Sequence, residues 1–311
     1  MSDRLHIACN VEDVVQATAT LRPTTWADAL ELRAAHPEAL PINGGTDVMV
    51  EINFDRRRPT GLLDLSQIPE LATWELLEAG DGNRPLVRLG AGLSYTRIVE
   101  ELADLTPSLA MASRTVGSPQ IRNRGTVGGN LGTASPAGDA HPPLLATRAV
   151  VELEGPSGQR LVPIDEYFVG PKRSVLAADE LIRAVRIPVA DGPQQFSKIG
   201  PRNAMVIATT SFALCVDRGD RHIGTGIGSA GPTPLRAHEA EALITDAIDG
   251  RWDDPGPLDP AVAVRFGELV AAAASPIDDV RGTARYRRHA LGVLARRCLG
   301  WVWEPLGEAN R

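Results

Sequence analysis

Two segments of this 311-residue chain combine paired glycines with small polar residues, and they offer the groups best suited to bind an anion. The first reads INGGTDV at residues 42–48, and the second reads TVGGNLGTASPAGD at residues 126–139. Paired glycines let the main chain approach a ligand closely, because no Cβ intervenes. Consecutive amides in such turns can converge into a nest that binds a phosphate group. The two segments are therefore candidates for a diphosphate site.

The polar side chains of both segments indicate which part of a ligand each could contact. Neither segment contains lysine or arginine, so amide dipoles would have to neutralise a diphosphate. The carboxylates of Asp47 and Asp139 suit sugar hydroxyls better than phosphate, which would repel them. Further donors are the hydroxyls of Thr46, Thr126, Thr133 and Ser135. The alternative is that both segments are ordinary connecting loops, since glycine and proline mark turns in all proteins.

A third stretch, GIGSAG at residues 226–231, matches the letters of the dinucleotide-binding fingerprint G-x-G-x-x-G. That fingerprint requires a helix that opens at the last glycine, so that the helix N-terminus faces a pyrophosphate. Pro232 and Pro234 follow instead, in a region without βαβ alternation. We therefore interpret the stretch as a strand with a tight exit.

No acid–base, nucleophilic or metal-binding constellation is visible in the sequence. The chain has no HExxH, G-x-S-x-G or P-loop motif, and its six histidines are scattered. Its three cysteines lie far apart, which excludes a locally built zinc or iron–sulfur site. We therefore predict neither catalytic residues nor metal ligands. His141 is interpreted as a solvated loop residue, with a position near the ligand as the alternative, and Cys215 as a packed apolar thiol.

Composition and charge restrict the class of protein. The 39 acidic and 32 basic side chains give a net charge of −7, which argues against a nucleic-acid or anionic-membrane partner. The N-terminal residues lack the apolar region of a signal peptide, and no apolar run approaches the roughly 20 residues that cross a bilayer. A sparse, odd set of cysteines suits a reducing compartment. We therefore expect a cytoplasmic protein without a membrane span.

The elements that must position the glycine segments form a predicted α+β unit. A helix begins at a Thr25 cap and ends at Pro37, and the apolar stretches VMVEINF and LLDLSQI predict strands around a polar loop. A strand, a helix capped by Ser94 and a second helix over PSLAMASRTV follow. After the second glycine segment we predict a short helix over PPLLATRA, a hairpin over AVVELEGPSGQRLVPI and a helix over ADELIRAVRIPV.

Length favours two domains, and DGP at residues 191–193 is the predicted boundary. Beyond it, QQFSKIGPR, VIATTSFALCVDR and RHIGTGIGSAG alternate like three antiparallel strands. Three helical segments follow, namely HEAEALITDAI, AVAVRFGELVAAAA and TARYRRHALGVLARRCLGWVW. The predicted C-terminal part is therefore a three-stranded antiparallel sheet with a helical bundle.

Six segments carry a resemblance to a known family: NGGTDV, QIRNRGTVGGNLGTASPAGDAHPPLLA, ADELIRAVRIP, FSKIGPRNA, TPLRA and ARYRRHALGVLARR. In this order they resemble the FAD-binding medium subunit of molybdenum hydroxylases, a family that includes the flavin subunits of bacterial xanthine and carbon monoxide dehydrogenases. The likeness spans about residues 20–303. It implies a two-lobed FAD domain of the vanillyl-alcohol-oxidase (PCMH) type at residues 1–190, with lobes of about 1–65 and 66–190. A flavoprotein C-terminal domain would occupy residues 194–305.

The resemblance also implies which residues bind FAD. Ile182 would line the isoalloxazine ring, and Lys198 takes the place of a cofactor-contacting lysine. Val116 is aliphatic where some relatives place an aromatic residue over the flavin, and Asn43 stands where many relatives have alanine. The implied cofactor-binding residues are Ile42, Asn43, Gly44, Gly45, Thr46, Asp47, Val48, Val116, Thr126, Gly128, Gly129, Asn130, Thr133, Ser135, Asp139, Ile182 and Lys198.

Lys198 and Arg202, in FSKIGPR, allow two interpretations. Both fall on the first strand after the predicted boundary, where a second domain could close over a cofactor held by the first. A lysine near the pyrimidine edge of a flavin would stabilise the negative charge that develops there on reduction. Alternatively, both residues lie at the surface of a strand edge.

The function implied by the resemblance is electron transfer within a heteromeric molybdenum hydroxylase, with a purine or another N-heterocycle as the expected substrate. A large partner subunit with a molybdopterin cofactor would hydroxylate the substrate, and a small partner with two 2Fe–2S clusters would pass electrons to FAD. The final acceptor would be NAD⁺, oxygen or another oxidant, and the assembly a heterotrimer or its dimer. The alternative is a self-sufficient FAD oxidase of the vanillyl-alcohol-oxidase type, against which stands the lack of a substrate domain with a candidate base.

Overall fold

The computed structural model describes residues 19–78, 84–202, 205–253 and 256–308, without the side chains of 305–308. The predicted start of the first domain, with His6 and Cys9, lies outside the described residues. Helices and separate sheets together give the predicted α+β architecture. The predicted boundary at residues 191–193 falls between strands of two different sheets and stays a prediction.

A three-stranded parallel sheet begins the described chain. Its strands are β1 (Ala19–Leu21), β2 (Leu40–Ile42) and β3 (Gly61–Asp64). They lie in the order β1-β3-β2, with α1 (Trp26–Ala35) and α2 (Val48–Asn53) as the connecting helices. The Thr25 hydroxyl accepts a hydrogen bond from the Asp28 amide at 3.1 Å, which confirms the predicted start of α1.

A five-stranded antiparallel sheet follows. Its strands are β4 (Trp74–Leu77), β5 (Leu86–Gly90), β6 (Val150–Gly155), β7 (Gly158–Pro163) and β10 (Leu181–Pro188), and a separate hairpin consists of β8 (Phe168–Gly170) and β9 (Arg173–Ser174). The order in the sheet is β4-β5-β10-β6-β7. The β6–β7 pairing confirms the predicted hairpin.

Six short helices accompany this sheet in the described part of the chain. They are α3 (Tyr95–Glu101), α4 (Pro107–Arg114), α5 (Pro119–Arg124), α6 (Val127–Thr133), α7 (His141–Ala146) and α8 (Ile164–Tyr167). The Ser94 hydroxyl accepts from the Arg97 amide at 3.4 Å, so the predicted cap of α3 is confirmed. The predicted helices at α4 and α7 are confirmed as well, and a 3₁₀ turn covers Pro69–Ala72.

Two predicted elements are wrong. The stretch VMVEINF forms α2 instead of a strand, and the side chains of Met49 and Val50 are exposed. The stretch ADELIRAVRIPV contains β10 instead of a helix. Because β10 pairs with β5 on one side and β6 on the other, sheet hydrogen bonding overrides the helical preference of its leucine, alanine and arginine residues.

The structure confirms three strands and three helices in the C-terminal part. The strands are β11 (Gln194–Ile199), β12 (Thr210–Asp217) and β13 (His222–Gly228), and the helices are α9 (His238–Ala247), α10 (Pro260–Ala273) and α11 (Ala284–Glu308). The strands form an antiparallel sheet in chain order. Among the described residues, no helix has the combined length and apolarity that crossing a membrane requires.

The central strand β12 is buried on both faces. Phe212, Leu214 and Val216 pack into the core with α9, α10 and α11, whereas Ala213 and Cys215 face α4 and α7. This alternation follows from the two-residue period of a strand. Burial raises the pKa of the Cys215 thiol to about 12, which confirms the packed apolar thiol.

The glycines of the GIGSAG region allow close packing instead of binding a dinucleotide. No helix follows the last glycine directly, which confirms the strand interpretation. A Cβ on Gly224 would overlap the carbonyl oxygen of Ala146, and one on Gly226 would overlap that of Pro142. Because these glycines lack side chains, α7 lies directly on the backbone of β13. We call this contact between α7 and β13 the glycine seam.

Candidate functional site

A cavity of about 870 Å³ lies where the two glycine-rich segments meet. Its volume is within the range of small-molecule and cofactor sites. Most of the residues predicted to bind a cofactor line it: Ile42, Asn43, Gly44, Gly45, Thr46, Asp47, Val48, Val116, Thr126, Gly128, Gly129, Asn130, Thr133, Asp139 and Ile182. Two predicted residues, Ser135 and Lys198, are not among the described lining residues. Ser135 accepts a hydrogen bond from the Ala137 amide at 3.3 Å, and Lys198 donates to the lining residue Asp139.

The first glycine segment offers unpaired backbone donors to the cavity. It forms the loop between the end of β2 and the start of α2. Within the described part of the chain, the amides of Gly44, Gly45, Thr46 and Asp47 have no hydrogen-bond acceptor. Gly44, Gly45 and Thr46 are partly buried and Asp47 is exposed, so this row of successive donors is available to a ligand in the cavity. A diphosphate is the ligand that such a row of amides suits best.

Gly44 places the two glycine segments in backbone contact. A Cβ at this position would overlap the carbonyl oxygen of Arg124, which lies two residues before the second segment. Gly45 has a φ of 75°, in the left-handed region that favours glycine. The Thr133 hydroxyl donates to Asp47 at 3.1 Å and joins the segments a second time. The segments therefore form adjoining walls of one site.

The second glycine segment begins as a short helix, α6, instead of a loop. The Thr126 hydroxyl accepts from the Gly129 amide at 2.9 Å, as a helix cap does. The Gly128 amide donates to the Ala91 carbonyl at 3.1 Å, and the Asn130 amide donates to the Thr126 carbonyl at 3.0 Å. Three amides of the predicted nest thus have partners inside the protein. These three amides are therefore not free to bind an anion, although Gly128, Gly129 and Asn130 line the cavity.

Removing the cap of α6 is expected to have a moderate effect. Thr126→Ala should lower the free energy of unfolding by about 1 kcal/mol, because the Gly129 amide loses its acceptor. Thr126→Ser keeps the hydroxyl and should retain most of that stability. Urea denaturation of both variants measures the difference, and equal losses would show that the hydroxyl does not stabilise the helix.

A buried ion pair lies beside the cavity. Lys198 Nζ is 2.6 Å from Asp139 Oδ2 and donates to the Thr115 carbonyl at 3.2 Å. The two side chains are only 6% and 11% exposed, so the surface interpretation of Lys198 is wrong. Arg202, in contrast, is exposed, as the surface interpretation predicts. Burial raises the pKa of Asp139, and the neighbouring ammonium group opposes that rise.

His141 is buried inside the protein, so its interpretation as a solvated loop residue is wrong. It begins α7, its Nε2 lies 3.3 Å from the carbonyl of Asn130, and its ring packs 4.7 Å from the ring of Phe168. Burial lowers the pKa of His141 to about 4, so the ring is neutral near pH 7. Its contact with Asn130 places it behind the cavity wall, where it supports α6.

Three cations that belong to neither glycine segment also line the cavity. Arg57 and Lys172 lie 3.6 Å and 2.6 Å from Glu51 in α2, and Arg33 is buried on α1. No local sequence pattern indicates Arg57 and Lys172, because only the folded chain brings them to the cavity. Arg33 follows Trp26 by seven residues, which is a helical spacing that places both on one buried face. The seven-residue spacing from Trp26 could therefore have identified Arg33 as a buried residue.

Comparisons with known proteins point to one family. Residues 15–190 match the family described as "FAD binding domain in molybdopterin dehydrogenase", and residues 195–302 match the "CO dehydrogenase flavoprotein C-terminal domain". The xanthine dehydrogenase FAD-binding subunit of Escherichia coli O157:H7 is 29% identical, over 89% of this chain and 93% of the relative. The nicotine 6-hydroxylase medium subunit of Paenarthrobacter nicotinovorans is 31% identical, over 89% and 94%.

Solved structures agree with these relatives. Carbon monoxide dehydrogenase from Hydrogenophaga pseudoflava matches with a TM-score of 0.81 at 26% identity, over 92% of this chain and 97% of the solved one. Fold and site together define an FAD-binding subunit of an oxidoreductase. The chain belongs to the family of FAD-binding medium subunits of molybdenum hydroxylases, which includes the xanthine and carbon monoxide dehydrogenases.

The described residues of the cavity fit FAD. The unpaired amides of the first glycine segment suit its diphosphate. Asp139 Oδ1 is buried and has no hydrogen-bond partner among the described residues, so it can accept from a hydroxyl or ring N–H group. The wall also contains apolar side chains such as Val116 and Ile182, which suit flat rings.

Proposed function

We propose that this chain passes electrons from the 2Fe–2S clusters of a small partner subunit to NAD⁺ or another acceptor. The observation that carries the proposal is the cavity built from both glycine segments, because it joins a diphosphate-binding loop to a buried Lys–Asp pair. FAD supplies the redox chemistry, since its ring accepts and releases electrons singly or in pairs. The protein supplies binding, orientation and charge.

The roles of individual residues follow from their surroundings. The amides of residues 44–47 would hold the diphosphate, and Val116 and Ile182 would contact the ring system. Asp139 would accept a hydrogen bond through Oδ1, while Lys198 holds its other oxygen. The fixed positive charge of Lys198 would also stabilise negative charge on the reduced ring system.

The names of the relatives support a complex of several subunits. Two of them are called the medium subunit of nicotine 6-hydroxylase and the medium chain of carbon monoxide dehydrogenase. We expect a large molybdopterin-binding subunit and a small 2Fe–2S subunit as partners, in a heterotrimer or its dimer. The names xanthine dehydrogenase and nicotine 6-hydroxylase support an N-heterocyclic substrate, which would bind in the large subunit. A cytoplasmic location stays a prediction.

Purification of the tagged chain from its native host tests the proposal. We expect a flavin spectrum, co-purifying subunits that contain molybdenum and iron, and substrate-dependent bleaching of the flavin that NAD⁺ or another oxidant reverses. The same chain expressed alone is the control and should bind FAD without oxidising any N-heterocycle. An isolated chain that oxidises an alcohol would instead support the self-sufficient oxidase. A chain that takes up no FAD would contradict both functions.

A further inference from the structure

Arg33 is a buried cation that faces the cofactor cavity and lacks a carboxylate partner among the described residues. Its side chain belongs to α1, and the residue is only 6% exposed. Nη1 donates to the carbonyl oxygen of Ala39 at 2.6 Å. Nε is buried and has no acceptor in the part of the chain that the structure describes. The guanidinium group therefore keeps donor capacity that the protein itself does not use.

This arrangement differs from that of the other cavity cations. Arg57 and Lys172 both pair with Glu51, and their side chains are about half exposed. Burial lowers the pKa of Arg33, and the charges of Asp179 and Glu38 oppose that shift without either carboxylate forming an ion pair with it among the described residues. An unpaired buried charge is destabilising unless a ligand compensates for it. Arg33 lines the cavity, so a ligand bound there can supply the missing acceptor.

The contact of Arg33 with the residue before β2 indicates which part of the ligand it meets. Its partner Ala39 directly precedes β2, whereas the unpaired amides of residues 44–47 follow the other end of that strand. Three residues of strand separate the two ends by about 10 Å. A diphosphate held by the loop amides is therefore too far away to be the partner of Arg33. The partner must be one of the two groups joined by that diphosphate.

The two ends of the site can be distinguished by their anchors. The Asp139–Lys198 pair, proposed for the flavin ring, is anchored to Thr115 after α4. Arg33 is anchored before β2 to Ala39, whose neighbour in the chain, the apolar Leu40, also lines the cavity. An apolar slot beside one unpaired donor suits a purine ring, which offers ring nitrogens as acceptors and a face for a cation.

We infer that Arg33 binds the adenosine half of FAD and thereby selects FAD over FMN. The Nε–H group, or the second Nη, would donate to a ring nitrogen or a ribose oxygen. This inference rests on the binding of FAD by this chain. It also explains why α1 has an arginine on its buried face, where a leucine would pack without a desolvation cost.

The test compares the affinities of the isolated chain for FAD and FMN, measured by flavin fluorescence quenching after removal of bound cofactor. Arg33→Leu is expected to weaken FAD binding about tenfold or more and to leave FMN binding unchanged, since FMN lacks the adenosine half. The FAD-free variant should melt at the same temperature as the FAD-free parent or higher, because an unpaired buried charge has been removed. Arg33→Lys retains the charge but not the fork of donors, and should recover only part of the affinity.

Arg22→Leu is the matched control, since its side chain is 70% exposed and pairs with Asp64 outside the cavity. It removes the same charge and should leave both affinities unchanged. Equal weakening of FAD and FMN by Arg33→Leu would overturn the inference, as would unchanged FAD affinity. A lower melting temperature of the FAD-free variant, together with an unchanged FAD-to-FMN ratio, would assign Arg33 a purely structural role. A parent chain that binds no flavin would instead contradict the proposed function.

Discussion

Gly44→Ala is expected to weaken FAD binding about 100-fold. The new Cβ would overlap the carbonyl oxygen and carbon of Arg124, which are backbone atoms that cannot move aside alone. The two glycine segments must then separate, and several of the four unpaired amides of residues 44–47 would leave their positions. Each lost hydrogen bond to a charged phosphate weakens binding by about tenfold or more, so a combined loss of about 100-fold is expected. The strain should also lower the free energy of unfolding by about 1–3 kcal/mol.

Equilibrium dialysis with FAD and urea denaturation of the FAD-free chain measure these two effects. Gly300→Ala is the matched control, because a Cβ there meets no atom within 4 Å and the residue lies inside α11. That substitution should leave FAD affinity unchanged and stabilise the helix slightly, since glycine is unfavourable in a helix interior. If Gly44→Ala retained the affinity of the parent chain, close contact of the two segments would not be required for binding.

Lys198→Met is expected to destabilise the protein by about 3–5 kcal/mol near neutral pH, because it leaves Asp139 as an uncompensated buried charge. The loss should depend on pH. Burial raises the pKa of Asp139, and removal of the lysine leaves that rise unopposed. A carboxyl whose pKa is higher in the folded than in the unfolded chain stabilises the fold while protonated. That contribution is present below the ordinary aspartate pKa and disappears as the pH rises through the folded value.

Urea denaturation of the Lys198→Met variant at about pH 5 and about pH 8 tests this sign, with the smaller loss expected at the lower pH. The double variant Lys198→Met with Asp139→Asn has no buried charge at this position and should recover much of the lost stability at the higher pH. If the loss of unfolding free energy were the same at both pH values and the double variant did not recover, the ion pair would not be what stabilises the cavity wall at Asp139.

Local signals were sufficient to predict the elements that have caps, turns or a clear period. The hydroxyls of Thr25 and Ser94 mark helix starts that the structure confirms, and the alternating residues of β11, β12 and β13 predict the C-terminal sheet. Such features depend on neighbours in the chain, so they can be predicted without knowledge of distant contacts.

The two wrong predictions concern a short apolar run and a strand whose partners are distant in sequence. A short apolar run such as VMVEINF does not distinguish a strand from a helix by its hydrophobic period. In the structure, the Gly45 carbonyl accepts from the Met49 amide at 3.0 Å, where α2 begins. The residues of β10 favour a helix when considered alone, but pairing with β5 and β6 fixes them in the middle of a sheet. Neither partner strand is adjacent to β10 in sequence.

Some features of the candidate site, like those of the fold, can be predicted from local sequence, and others depend on distant contacts. Glycine pairs indicated the two segments that line the cavity, yet composition could not show which amides were already paired. The cap at Thr126 uses the Gly129 amide, whereas the amides of residues 44–47 have no acceptor among the described residues. The ion pair of Asp139 and Lys198 joins residues far apart in the chain, which only the folded protein brings together.

The glycine seam limits how this protein can be recombined with its relatives. Backbone lies on backbone where α7 meets β13, so any side chain larger than hydrogen at Gly224 or Gly226 would push the helix away. A chimaera that joins the first 190 residues of one relative to the C-terminal part of another therefore needs a matched pair of surfaces at this contact. Hybrids in which α7 and β13 come from the same relative should fold more often than hybrids joined only at the predicted boundary, residues 191–193.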